Sequence, residues 1–189
     1  MITIFAILLL GFLPFTPADP DPVQDFCVPE ATPVQLNRLR SIPCKSPSNV
    51  TADDFVFSGI QSRGNFSSST GFAGVAVNPV QFPALNTLGM SFARADFEPG
   101  GVNPPHYHPR ATETALVVEG SVYSGFVDST GRVYAKVVEK GEVMVFPRGM
   151  VHFQMNGGDS VATIFGSFNS ENPGLVKIPG TGAVVGALV

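Results

Sequence analysis

Gly100-Gly101-Val102-Asn103-Pro104-Pro105-His106-Tyr107-His108-Pro109-Arg110-Ala111-Thr112-Glu113 decides how the rest of this chain is read. Gly141-Glu142-Val143-Met144-Val145-Phe146-Pro147-Arg148-Gly149-Met150-Val151-His152-Phe153-Gln154-Met155-Asn156 is its counterpart further along. The sequence holds three histidines, and all of them fall in these two stretches. His-x-His puts both imidazoles on one face of a strand, because side chains alternate with a period of two. Glu113 has the opposite parity, so Pro109-Arg110-Ala111 must bend the chain for its carboxylate to join them. His152 must come from a separate strand, entered through Phe146-Pro147-Arg148-Gly149, and completes a set of three nitrogens and one oxygen. The pattern predicts a metal centre.

Imidazole serves several first-row metals, and a carboxylate moves preference toward harder ions such as manganese or iron. On an octahedral ion, four protein ligands leave two positions for water or substrate. No cysteine lies near either stretch, which removes thiolate sites, although the general affinity order would still let zinc or copper load the set in vitro. The plainer alternative makes His106 and His108 surface loop residues and His152 a buried, hydrogen-bonded histidine.

The two stretches resemble the two sequence boxes of plant germins and germin-like proteins, within the cupin superfamily. The first box runs on to Glu119-Gly120, and the likeness reaches upstream through Asp19-Pro20-Asp21-Pro22-Val23-Gln24-Asp25-Phe26-Cys27. It covers most of the chain from there to about Pro173. The resemblance implies manganese held by His106, His108, Glu113 and His152. In the oxalate oxidase members, it further implies, two asparagines near the metal hold the substrate carboxylates; Asn103 matches one, and Ala93 stands at the other position. Alanine offers no side-chain donor, and a site for a charged substrate loses affinity and orientation without it. Ala93 therefore counts against oxalate oxidation. Asn103 reads equally as a turn residue, and Asn156 as either a donor near the metal or a strand-end residue.

The resemblance, with the ligand set intact, implies a secreted manganese glycoprotein of the plant apoplast and cell wall with superoxide dismutase activity. The ion would alternate between Mn(III) and Mn(II) and yield hydrogen peroxide, with a role in defence or wall development. The protein supplies ligands, an open position and the groups around them. Superoxide is small and needs no carboxylate-binding asparagine. Two other readings stand beside it. One is oxalate oxidase; the other is a non-catalytic glycoprotein whose metal stabilises the fold while its surface binds a wall component or a small acid such as auxin. Fold alone does not separate them, because one fold hosts many chemistries.

Composition points the same way. A chain of 189 residues, 44% hydrophobic with 16 phenylalanines, is long enough for one good core in one domain. Charged residues make up 14%, and a formal charge of -4 with a pI near 5.2 gives no basic field for nucleic acid.

Residues 4–15 form an apolar run, shorter than the roughly twenty residues a spanning helix needs. Thr16-Pro17-Ala18 follows with small residues, so a signal peptide is expected over 1–18, cleaved after Ala18, despite the lack of a basic n-region. No later run would hold the mature chain in a membrane. An extension over 19–58, a cupin domain over 59–175 and a short tail over 176–189 complete the expected division. Cys27 and Cys44 are the two cysteines, and an oxidising route predicts that they pair. Such a loop would constrain the unfolded chain by about 3 kcal/mol in the entropy model. Asn49-Val50-Thr51 and Asn65-Phe66-Ser67 are glycosylation sequons.

Strands are predicted over 88–97, 114–119, 121–128, 133–138, 143–146 and 161–168, rich in Val, Phe, Tyr and Thr and punctuated by Gly, Asp or Pro. Short strands at near-regular spacing predict an all-β fold, and a cupin double-sheet jelly roll fits. Asp128-Ser129-Thr130-Gly131 reads as a hairpin loop, residues 67–71 as a surface loop, and Lys140-Gly141-Glu142 as a turn. Residues 53–57 are expected to form an early strand or edge segment. Germin-like chains, on the resemblance, continue into helices that clasp neighbouring subunits. Residues 178–189 carry three glycines and a proline, which disfavour a helix and leave the family's homo-oligomer, a trimer-of-dimers hexamer, without that support.

Overall fold

Alternation along the strands builds this molecule. The computed structural model describes residues 24–30 and 42–179; the expected signal peptide and residues 180–189 of the C-terminal tail lie outside them. Ten strands run through the described residues: β1 Phe72–Val77, β2 Ser91–Phe97, β3 Val102–Tyr107, β4 Glu113–Glu119, β5 Ser121–Val127, β6 Val133–Glu139, β7 Val143–Phe146, β8 Val151–Met155, β9 Ala162–Phe168 and β10 Val176–Lys177. They form two five-stranded sheets, ordered β1-β2-β9-β4-β7 and β10-β3-β8-β5-β6, with every pairing antiparallel. This is the all-β, double-sheet arrangement expected.

The inward positions of both sheets fill one end of the container. Phe97 of β2, Ala115 and Val117 of β4, Val122 of β5, Val138 of β6 and Ile164 of β9 pack with Phe146 in a single apolar cluster. Each large side chain buried there contributes about 1.5–3 kcal/mol. Asp128 accepts backbone hydrogen bonds from Thr130 and Arg132 and closes the β5–β6 hairpin. Gly141 turns the chain into β7 at φ 88°, in the left-handed region that suits glycine.

Several expectations need correction. Residues 53–57 are no strand. Ala52–Phe55 is a 3-10 turn, because the Asp54 carboxylate accepts the Thr51 N–H at 2.9 Å and pairs with Lys45, which holds the local chain curled. The strand expected from residue 88 starts at Ser91, since Thr87 and Gly89 take positive φ in a turn just before it. β1 and β10 escaped the sequence reading: β1 carries Gly74 in a small-residue run, and β10 is two residues long.

Cys27 and Cys44 form a disulfide with Cα atoms 5.1 Å apart. The bridged segment docks on the domain through Asn86 Nδ2, which donates to Cys27 O, and through the Phe26–Phe55 ring contact. Asn49 and Asn65 are both exposed.

Candidate metal centre

β3 and β8 are neighbours, and their register sets His106 directly opposite His152. His108 lies just past the end of β3, and Pro109-Arg110 turn the chain so that Glu113 opens β4 in the other sheet. The bend predicted from the parity of Glu113 is that turn. The two boxes are tied together there: Gly149 N donates to His108 O, and Arg148 Nε to Pro109 O.

All four side chains are buried, and one ligand atom from each lies within 4.8 Å of the others. Glu113 Oε2 is 3.1 Å from His152 Nε2 and 3.2 Å from His108 Nε2. Phe146 stacks on the His152 ring at 4.5 Å, and Phe168 meets His108 edge-on at 4.7 Å, so apolar walls enclose the set. Burial and the neighbouring His152 push His106 down to about 4. Burial alone would raise Glu113, but hydrogen bonding to His108 and His152 outweighs it and holds the carboxyl at about 2.

The second ring nitrogen of each histidine shows what the set is built for. Nδ1 of His106 faces Pro104 O at 2.8 Å, Nδ1 of His152 faces Met150 O at 2.9 Å, and Nδ1 of His108 faces Gly174 O. A carbonyl only accepts, so these contacts assign the proton to Nδ1 and turn a bare Nε2 inward. Three such nitrogens around a carboxylate are acceptors facing acceptors. A cation satisfies all four at once. The donor set therefore fits a divalent first-row metal.

A cavity of about 400 Å³ adjoins the four ligands, lined among others by Ala93, Asn103, Gln154 and Gly166. Gly166 of β9 leaves room for the carboxylate, since a Cβ there would sit 3.0 Å from Glu113 Oε1. Asn103 Nδ2 donates to Gln154 Oε1 at 2.8 Å, and Gln154 Nε2 is buried without a partner among the described residues. Asn156 is placed differently from the role near the metal considered for it. Its amide donates to Phe97 O, Glu98 O and Ser160 O and accepts from Gly158 N, which fastens the β8–β9 connection. Gln154, Gly166 and Gly174 were missed by sequence reasoning; the parity of Gln154 with His152 was the one available signal.

Residues 58–187 match the family described as Cupin. The chain is 66% identical over 181 residues to germin-like protein 2-4 of Oryza sativa subsp. japonica, covering 93% of this chain and 79% of that one. The chain belongs to the germin-like proteins of the cupin superfamily. Germin-like protein subfamily 3 member 2 of Arabidopsis thaliana is 61% identical to it, with 86% and 72% of the two chains covered. Among solved structures, a recombinant oxalate oxidase in complex with glycolate superposes with a TM-score of 0.78 at 42% identity, covering 85% of this germin-like chain and 81% of that one. Peruvianin-I, a cysteine peptidase from Thevetia peruviana latex, gives 0.76 at 36% identity, over 85% and 98%. Both cysteines of this chain are in the disulfide.

Proposed function

We propose that this germin-like chain is a secreted manganese protein of the plant cell wall that dismutes superoxide to dioxygen and hydrogen peroxide. The observation that carries the reading is the convergence of three imidazole Nε2 atoms and one carboxylate, each imidazole already fixed through Nδ1 by a backbone carbonyl. The carboxylate favours a hard ion such as manganese over softer competitors. Bound there, manganese would supply one-electron exchange between its +3 and +2 states.

The chain's own residues do the rest. His106, His108, Glu113 and His152 would hold the ion, Phe146 and Phe168 keep bulk water from their rings, and Asn103 and Gln154 supply polar side chains to the wall of the adjoining cavity. Dismutation consumes two superoxide ions and two protons, and a cavity of about 400 Å³ admits both the anion and water. The disulfide, the exposed sequon residues Asn49 and Asn65 and the leader expected over 1–18 support export and glycosylation.

Purified protein should contain about one manganese per chain, as a single ligand set requires, and superoxide consumption should rise in proportion to loading. Fully loaded protein without activity would sink the dismutase and leave the metal as a structural or receptor element. A second reading, oxalate oxidation, draws on the likeness to the glycolate-bound oxalate oxidase and on Asn103 at the cavity wall. Ala93 on the same wall weakens it, offering a methyl group where a donor was expected.

A further inference from the structure

The three histidines are not held alike. His106 and His152 find their carbonyl partners two residues back along the chain, at Pro104 within β3 and at Met150 just before β8, so local chain geometry orients these rings. His108 has left its strand, and its partner, Gly174 O, lies 66 residues away. That carbonyl belongs to a strap, residues 172–175, between β9 and β10. Orientation of the third ligand therefore depends on whether a remote segment is seated.

Arg110 seats it. Its Nε donates to Asn172 O at 2.6 Å, its Nη2 to Asn172 Oδ1 at 2.8 Å, and its backbone N to Pro173 O at 3.1 Å. A guanidinium gripping a carbonyl and an amide oxygen of one residue fixes both position and angle, which a single ammonium does less well. Gly174 completes the fit. Its φ is 70°, and a Cβ there would meet Arg110 Nη2 at 2.9 Å and Pro109 Cγ at 3.0 Å, so only glycine lets the strap lie flat on the turn that follows His108. Just beyond, Val176 pairs with Tyr107 and Ile178 N donates to Pro105 O, which anchors the far end of the strap.

We propose that Arg110 is a positioning residue for metal retention: by clamping Asn172 it seats the 172–175 strap, whose Gly174 carbonyl keeps His108 Nε2 turned toward the ion. The proposal rests on the reading of His106, His108, Glu113 and His152 as metal ligands. Arg110 lies outside that set of four, and it acts through one of its members.

The test uses the full chain loaded with manganese. Metal loss to excess chelator is followed for the wild type, Arg110→Ala, Arg110→Lys and Gly174→Ala, with histidine ¹⁵N spectra of the metal-free proteins alongside. Outer hydrogen-bond partners of metal ligands typically contribute ten- to a hundredfold in affinity. Arg110→Ala and Gly174→Ala should release manganese at least about tenfold faster, in the lower part of that range, with Arg110→Lys between them and the wild type. In the spectra, His108 alone should change from the Nδ1–H form to a mixture, with His106 and His152 as internal references. Wild-type protein that binds no manganese overturns the metal reading and this proposal with it. Wild type that holds manganese while Arg110→Ala releases it at the same rate overturns the proposal alone. Equal perturbation of all three histidines also overturns it, since that marks a general loss of structure rather than a misplaced His108.

Discussion

The same strands make two different ends. Along β4 the inward side chains are Glu113, then Ala115 and Val117; along β9 they are Phe168 and Gly166, then Ile164 and Ala162; along β2 they are Ala93, then Ala95 and Phe97. At one end small residues and a carboxylate leave a cavity beside three imidazoles, and at the other apolar side chains fill the space. Phe146 serves both, packing in the core and stacking on His152. Period-two alternation decides which residues face inward, while side-chain volume and polarity decide whether the interior becomes a plug or a site. Stability and metal binding should thus be separable by position along a strand.

The sharpest way to break that comparison is at the ligands. His152→Ala should abolish manganese binding as read by elemental analysis, and unchanged metal content would refute the ligand set. At the other end, Phe97→Ala should cost about 3–5 kcal/mol in denaturant unfolding of the metal-free protein through lost burial and a cavity. The folded fraction should still bind metal; loss of both properties together would mean that the two ends are one unit.

Gly166→Ala probes the border between them. Its methyl group would press on Glu113 Oε1, so manganese affinity should fall about tenfold, near the lower limit for disturbing a ligand's surroundings, while the melting temperature moves little. An unaltered affinity would show that the carboxylate has room to spare.

Acid should act on the polar end first. His106 is held at about 4 against 6.5 for a free imidazole, so the unfolded chain takes up its proton before the folded one does. Metal-free protein should lose stability as pH falls from 6.5 toward 4 through this group, with no further loss from it below. Glu113, held at about 2 against 4.5, contributes stability that is full above 4.5 and lost as pH falls toward 2. Urea midpoints across pH 6.5–4 should therefore slope less in His106→Gln than in the wild type; parallel slopes would remove His106 from the account. The smallest effect is expected from Ala93→Asn, which adds a donor to the cavity wall and should raise oxalate oxidation from a low base. No change in peroxide released from oxalate would show that Ala93 is not what limits that reaction.

Much of this was legible in the residues. His106, His108, Glu113 and His152 could be grouped from parity, from two proline-bearing turns and from the family likeness, and five of the six expected strands could be placed to within one residue at each end because Val, Phe and Thr alternate between clear turn signals. The failures have physical causes. Residues 53–57 look like a strand by composition, but a local carboxylate–backbone hydrogen bond curls them. Asn156 reads as either a donor near the metal or a strand-end residue, and the structure sets it just after β8 with four hydrogen bonds engaging its amide in the β8–β9 connection.

The sequence by itself determined which four side chains group together, the strand periodicity and the pairing partners of the disulfide, because each depends on residue type and near neighbours along the chain. Only the tertiary structure decided that His108 is oriented by a carbonyl 66 residues away, that Gly166 makes room for Glu113, and that Gln154 pairs with Asn103 beside the cavity. Those facts are distances between segments remote in sequence, set by how two sheets close on each other, and no local pattern encodes them.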